Sequence, residues 1–128
     1  MNLLNSFLSL FPPADPGLRW VEPPEAARLV RENKAVLVDV REPAEWAAGV
    51  AAPAALLPLS DLTGARRSWR PFLERVAGRE IILYCHSGSR CRLVARVLTA
   101  EGFKAASAGS LQAWHRAGLP ISRPPPQR

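Results

Sequence analysis

A short Gly/Ser-rich segment in the second half of the chain carries the residues best suited to chemistry. Directly after an aliphatic run typical of a buried strand come Cys85-His86-Ser87-Gly88-Ser89-Arg90. Behind them, apolar residues recur at helical spacing: Leu93, Val94, Val97 and Leu98. The sequence therefore predicts a strand, a tight turn and a helix, with Cys85 at the carboxyl end of the strand, where ligands bind in open α/β sheets.

This arrangement is typical of a nucleophilic thiolate. Backbone amides of the turn and the positive end of the helix dipole would face the sulfur of Cys85 and favour thiolate over thiol. Ser87 and Ser89 are small enough for the chain to close around an anion, and Gly88 permits the positive φ that such a cradle needs. Arg90 adds a fixed positive charge. These donors suit an oxyanion or the terminal sulfur of a persulfide, whereas the plainer alternative for Cys85 is a small buried hydrophobe.

Two neighbours in this segment have open roles. His86 would either help to hold the thiolate and admit anionic donors, or simply face solvent. Cys91 stands six positions after Cys85, in the first turn of the predicted helix. It would be either a packed, inert thiol or a group that resolves an oxidised Cys85 by forming a disulfide.

The elements that must position this segment alternate between strands and helices. Strands are predicted at residues 19–21, 36–40, 54–59, 80–84 and 103–107. Helices are predicted to begin at Pro23 and to cover residues 43–48, 69–76, the stretch after the loop, and 110–117. This alternation predicts an α/β fold with a parallel sheet.

The chain is long enough for one domain with its own core, at 128 residues and 48% hydrophobic side chains. We expect this domain to span residues 18–121. An extension, residues 1–17, precedes it and holds an apolar stretch at residues 3–11, for which a short packed helix is expected. A peripheral membrane contact or a helix that docks a partner stays the alternative for this stretch. That stretch is well short of the roughly 20 residues that cross a bilayer, so stable membrane insertion is not predicted. Residues 122–128 are Pro-rich and predict a flexible tail.

Composition narrows the classes of partner. The net charge of +6 comes from 17 Lys and Arg against 11 Asp and Glu and suggests anionic partners. Nucleic acid is not predicted, because the arginines are scattered and no basic stretch is interleaved with aromatic residues. The two cysteines lack the spacing of a zinc site, so neither a metal nor another cofactor is expected. The absence of a disulfide framework is compatible with a reducing compartment, so we expect a cytoplasmic location.

Three motifs, in order along the chain, resemble the single-domain form of the rhodanese (thiosulfate sulfurtransferase) family. They are residues 37–43 with Glu45-Trp46 and Gly49, the loop at residues 85–90, and residues 109–120. The resemblance covers about residues 19–121. It implies an α/β, rhodanese-like three-layer fold, with a central, mostly parallel five-stranded sheet and helices on both faces.

The resemblance implies sulfur transfer. The Cys85 thiolate would take sulfane sulfur from a small anionic donor such as thiosulfate, form a persulfide, and pass it to cyanide or to a thiol of a small molecule or a protein. Arg90 would shape the loop and attract the donor. Asp39 and Arg41 match the family's second-strand motif and would order the site rather than take part in the chemistry. The implied substrate-binding residues are His86, Ser87, Gly88, Ser89, Arg90 and Cys91.

The chain departs from the family pattern at three places. After Gly49 the family usually has His-Ile-Pro-Gly, whereas this chain has Val-Ala-Ala-Pro at residues 50–53. Ser110 stands where a second Gly is usual, and Cys91 stands where Ser is common. The first two changes affect supporting turns, and the third leaves redox chemistry open.

Three alternatives remain beside sulfur transfer. A Cys-dependent phosphatase places five residues between its nucleophile and its arginine, whereas four separate Cys85 from Arg90. Arg92 is one position too far, so the spacing argues against phosphate chemistry. A non-catalytic module that docks another protein, with the loop as scaffold, stays open. So does a thiol-redox module in which Cys85 and Cys91 cycle through a disulfide.

Overall fold

The chain forms alternating strands and helices. A computed structural model describes residues 18–124, and the predicted extension and the end of the predicted tail lie outside these residues. The strands are β1 Arg19–Trp20, β2 Ala35–Asp39, β3 Val50–Ala51, β4 Ala55–Leu56, β5 Glu80–Cys85, β6 Ala105–Ser110 and β7 Ile121–Ser122. The helices are α1 Pro23–Arg31, α2 Pro43–Trp46, α3 Leu59–Leu62, α4 Trp69–Arg75, α5 Ser89–Ala100 and α6 Leu111–Arg116.

As predicted, five of the strands form one parallel sheet. Their order is β1-β6-β5-β2-β4. The aliphatic strands β2 and β5 lie beside each other in it, which explains why neither alternates with polar residues. Asp39 lies opposite Tyr84, and Cys85 lies opposite Ser110. The carboxyl ends of β2, β5 and β6 therefore meet at one edge of the sheet.

Helices cover both faces of the sheet, as predicted. Successive side chains of β5 point to opposite faces, so Leu83 and Cys85 lie in one buried cluster and Tyr84 in the other. The first cluster includes residues of α3, α4 and α5, such as Leu62, Trp69 and Val94. The second includes residues of α1 and α6, such as Ala26 and Trp114. Cys85 is thus directed at the layer that holds α5.

The short segments differ most from the sequence prediction. The strand predicted at residues 54–59 is reduced to β4, and the end of that stretch begins α3 instead, since Pro58 precedes the helix in extended conformation. A small antiparallel sheet of β3 and β7 was not predicted. Val50 pairs with Ser122 in it, so β7 reaches the first residue of the predicted tail. The pairing is reinforced by the backbone N–H of Ala52, which donates to the carbonyl of Pro120 over 2.9 Å.

Candidate functional site

The sulfur of Cys85 lies under the loop that follows β5. Cys85 is the last residue of the strand, its side chain is fully buried, and it packs with Val94 and Cys91 of α5. The strand was predicted to end one residue earlier, and its parallel pairing with β6 extends it to Cys85. The candidate nucleophile is therefore held by the central sheet rather than by a free loop.

Backbone N–H groups surround this sulfur. Gly88 donates to Sγ over 2.8 Å, and the N–H groups of Arg90 and Cys91 also point to it. Gly88 has φ +95° and precedes α5 directly, so the chain turns there without the strain that a side chain would add. The N–H groups at the start of α5 have no partner inside the helix, which leaves them available for an anion. Backbone donors thus surround Cys85 where the sequence predicts a cradle, and the binding of an anionic substrate there stays a prediction.

These contacts lower the pKa of Cys85 to about 5, so the thiolate dominates at neutral pH. The largest cause is a hydrogen bond from the thiol of Cys91, and the three backbone N–H groups add to it against the opposing effect of burial. The same contact, together with burial, raises the pKa of Cys91, which therefore stays protonated. Cys91 Sγ also lies 3.9 Å from the carbonyl oxygen of Gly109. Cys91 is thus a buried thiol in contact with Cys85, and this contact is compatible with both of the roles left open for it.

Arg90 is bound to an acid. Its Nη2 donates to Oε2 of Glu45 over 2.8 Å, and its Nη1 donates to the other carboxylate oxygen. This pairing lowers the pKa of Glu45 to about 2 and raises that of Arg90. The two side chains remain roughly a third exposed. The pair ties the start of α5 to α2, and the charge of Arg90 is shared with Glu45 instead of being wholly available to a donor.

Glu45 is the site residue that sequence reasoning missed. Its carboxylate also accepts the backbone N–H of Glu42 over 3.0 Å, which completes a capping box on α2. Glu42 in turn accepts the backbone N–H of Ser60 over 3.2 Å. The motif at residues 37–49 contained Glu45, but its partner Arg90 lies 45 positions away, and no local spacing rule predicts that contact.

Asp39 and Arg41 form a buried pair at the end of β2. Arg41 Nη2 lies 2.8 Å from Oδ2 of Asp39, and the backbone N–H of Arg41 donates to Oδ1 over 2.9 Å. The guanidinium also donates to the carbonyls of Glu45 and Gly49. The pair therefore fixes the chain from α2 to β3. Beyond each other, the partners of the pair are backbone groups, and its role in ordering the site stays a prediction.

The remaining loop side chains face outward. His86, Ser87 and Ser89 are exposed, and the two serine hydroxyls lie 3.3 Å apart. Their small size lets the backbone close over Cys85, while their side chains are absent from its hydrogen-bond partners. The structure brings together the loop backbone, Cys85 and Cys91, and leaves the side chain of His86 at the surface.

Within residues 18–124, no group of three or more His, Cys, Asp or Glu side chains is arranged to hold a metal ion. No helix in the same range has the length and apolarity to cross a membrane.

The chain is similar to a known family of protein domains and to several individual proteins. A model of the rhodanese-like domain matches residues 22–117. A sulfurtransferase from Allochromatium vinosum is 35% identical over 99 residues, which cover 76% of this chain and 87% of that protein. An uncharacterized protein from Synechocystis is 32% identical over 102 residues, and the match covers 78% of this chain but only 54% of that protein. Among solved structures, a rhodanese-related protein from Thermoplasma volcanium is similar with a TM-score of 0.68 and 25% identity, over 83% of this chain and 99% of that one.

Proposed function

The chain belongs to the rhodanese-like domain family, and from that premise we propose that it is a sulfurtransferase in which Cys85 carries sulfur as a persulfide. The observation that supports this most is the buried thiolate itself. Three backbone N–H groups and one thiol surround Sγ and hold its pKa near 5. A cysteine with only a packing role has no need of such a cradle. The similarity to the A. vinosum sulfurtransferase points to the same chemistry.

The proposed reaction has two displacements. The Cys85 thiolate attacks the outer sulfur of a donor such as thiosulfate, and the donor's S–S bond breaks, so sulfite leaves with the electron pair of that bond. The product is the Cys85 persulfide anion. An acceptor thiolate or cyanide then attacks the terminal sulfur and takes it, and the electron pair of the broken bond returns to Cys85 as thiolate. No external oxidant or reductant is consumed.

The chain's own groups stabilise each charged form. The N–H groups of Gly88, Arg90 and Cys91 are fixed by the turn and by the start of α5, so they need no reorganisation when the charge moves from Sγ to the terminal sulfur. That sulfur lies about 2 Å beyond Sγ, within the same ring of donors. Arg90, fixed by Glu45, keeps the loop in this shape. Both cysteines are free, which suits the reducing compartment we propose, the cytoplasm.

The test is the formation of thiocyanate from thiosulfate and cyanide. We expect turnover by the wild-type protein and a loss of at least about a thousandfold in Cys85→Ser, because the covalent carrier of sulfur is gone. Cys91→Ser is the matched control: it makes the same atomic change six positions away and keeps a hydrogen-bond donor. Wild-type turnover by Cys85→Ser would show that the assignment is wrong.

A thiol-redox function is the second candidate, and the contact between Cys91 and Cys85 favours it. Oxidation of the two thiols would form a disulfide with the loss of two protons and two electrons to a mild oxidant. The intact mass would fall by about 2 Da. If this occurs faster than persulfide formation from thiosulfate, the redox function is the better assignment. Stable binding of a partner protein without either mass change would instead indicate the docking module.

A further inference from the structure

A cavity of about 250 Å³ lies beside the Cys85 loop. Ser87 and Gly88 of the loop line it, together with Leu18, Arg19 and Trp20 before and within β1. The remaining lining comes from Arg92 on α5 and Ser107 on β6. Gly88 is shared between the cavity and the cradle, because its backbone lines the first and its N–H binds the sulfur of Cys85. The cavity is therefore next to the proposed persulfide but is not the cradle itself.

Arg92 gives this cavity an uncompensated positive charge. The other cation in its wall, Arg19, is paired with Glu80 at 2.9 Å, and Arg90 of the loop is paired with Glu45. Arg92 takes part in none of the ion pairs within residues 18–124. Spacing from Cys85 excluded Arg92 from a phosphatase site, yet it is the guanidinium near the loop that remains open to a ligand. A guanidinium in this position suits a carboxylate, which it can bind with two parallel hydrogen bonds.

Trp20 gives the cavity an apolar wall that is held in place. Its side chain is 54% exposed, the largest exposure among the big apolar residues of the described chain. The indole lies against Gly109, where an added Cβ would be 2.7 Å from the ring carbon Cη2. Its Nε1 donates to Glu22 over 2.9 Å. An exposed, fixed aromatic ring that lines the same cavity as a cation is suited to a ligand with a short carbon chain and an acid group.

We propose that this cavity binds the sulfur acceptor, and that the acceptor is a small thiol that carries a carboxylate. This rests on the proposed function. The carboxylate would bind Arg92, the carbon chain would lie on Trp20, and the thiol would reach over Gly88 to the terminal sulfur. There the acceptor thiolate forms a new S–S bond while the bond to Sγ breaks, so Cys85 returns to thiolate and the proton of the acceptor thiol goes to solvent. The cavity is larger than a tetrahedral oxyanion donor requires, and such a donor has no carbon chain to lie on the indole.

The discharge of a preloaded persulfide tests this assignment. Protein is incubated with excess thiosulfate, desalted and mixed with 3-mercaptopropionate or with the neutral 2-mercaptoethanol, and the loss of about 32 Da is followed by quenched mass spectrometry. We expect the carboxylate thiol to discharge the wild-type persulfide about tenfold faster at low concentration, equivalent to about 1.4 kcal/mol of binding. Arg92→Gln should remove this preference, and Arg92→Lys should retain part of it. Arg116→Gln, an exposed arginine on α6, is the matched control and should keep the wild-type preference.

Two results would overturn the proposal. One is an equal rate for both thiols in the wild-type protein. The other is an Arg92→Gln variant that loads slowly from thiosulfate but retains the preference among thiols, since this would assign Arg92 to the donor. A binding measurement separates these failures from a failure of sulfur transfer itself: 3-(methylthio)propionate, which cannot react, should shift the Trp20 indole N–H resonance in the wild-type protein and not in Arg92→Gln. That arm needs no persulfide, and an unshifted resonance would count against the site even if Cys85 never loads.

Discussion

The thiolate of Cys85 depends on a second cysteine. Cys91 stands where the family commonly has Ser, whose hydroxyl could donate a hydrogen bond. The hydrogen bond from Cys91 lowers the pKa of Cys85 and raises the pKa of Cys91 itself. A thiol is a weak donor, but here it is fully buried against the sulfur that it stabilises. The proton of the pair is therefore held on Cys91, and the charge on Cys85.

Replacement of Cys91 tests this division. Cys91→Ala removes one donor and should raise the pKa of Cys85 by about one unit, which corresponds to about 1.4 kcal/mol. Because the thiolate is the reactive form, the wild-type alkylation rate should level off above about pH 6 and fall as pH drops through 5. In Cys91→Ala this fall should begin at higher pH. The measurement is the rate of iodoacetamide alkylation of Cys85 between pH 4 and pH 9.

Cys91→Ser separates the hydrogen bond from packing. Its hydroxyl can donate, so its profile should stay within about half a unit of the wild type. If the alanine and serine variants titrate alike, the hydrogen bond from Cys91 is not what lowers the pKa.

At this scale the sequence was informative where the residues were contiguous. Cys85, Gly88 and the following helix stand within a few positions of one another, so the cradle could be predicted from local backbone chemistry. The charge pairing of Arg90 and Arg92 could not be predicted in that way. Within the described chain Arg90 is paired with an acid and Arg92 is not, because the fold brings Glu45 from another segment to Arg90.

At the scale of elements, α2 is linked to α5 by Glu45. This helix has only four residues, so its position depends on contacts outside it. Glu45 binds Arg90 through its carboxylate and Arg41 through its carbonyl. The segment after β2 is therefore tied both to the loop over Cys85 and to the buried pair beneath it.

Glu45→Gln should weaken this link. Both members of the ion pair are roughly a third exposed, so we expect a loss of about 1 kcal/mol in the free energy of unfolding at pH 7. The pKa of Glu45 is lowered from 4.5 to about 2 in the folded chain. Its contribution is thus fully present above about pH 4.5 and is lost as pH falls toward 2. Urea unfolding at a series of pH values should show the gap between the two proteins narrowing over that interval.

Glu74→Gln is the control for this variant. Glu74 is exposed on α4 and takes part in no ion pair within the described chain. The change there should alter stability by less than about 0.5 kcal/mol. Equal unfolding midpoints for the two variants at every pH would mean that the pair with Arg90 contributes nothing.

The contact between Trp20 of β1 and Gly109 of β6 provides a further prediction. Gly109 has φ +86° and contacts Trp20, whereas Gly118 has φ +76° and open space where its Cβ would be. Alanine at either position should cost about 1 kcal/mol in backbone strain. Only Gly109→Ala should also displace the indole, and the emission spectrum of tryptophan should change accordingly. Adding Trp20→Phe should abolish that change, and identical spectra for the two alanine variants would contradict the contact.

The long elements could be predicted from the sequence and the short ones could not. The strands β2 and β5 are continuous aliphatic runs, and α1 begins at a Pro pair, so composition alone indicates them. By contrast, β3 and β7 have two residues each and pair across most of the chain. Their existence depends on the fold that brings Val50 beside Ser122, and no local pattern reports it.

At the scale of the whole molecule, the parallel sheet does most of the positioning. It places the ends of β2, β5 and β6 together, so a buried ion pair, Cys85 and the cap of α6 meet at one edge. Ser110 caps α6 through its hydroxyl, which accepts the N–H of Ala113 over 3.1 Å, so the departure from Gly at this position is accommodated. The alternation of strands and helices predicted this edge. Which charged side chains pair at this edge could be learned only from the three-dimensional structure.

The central claim is that Cys85 is a sulfur carrier, and the intact mass of the protein after a single exposure to thiosulfate tests it most directly. We predict an addition of about 32 Da, located on the peptide that contains Cys85, in the wild type and in Cys91→Ser, and no addition in Cys85→Ser. Alkylation at pH 6 provides the control that the thiolate is accessible. A wild-type protein that is alkylated at Cys85 yet gains no mass from thiosulfate or any other sulfane donor would contradict the account.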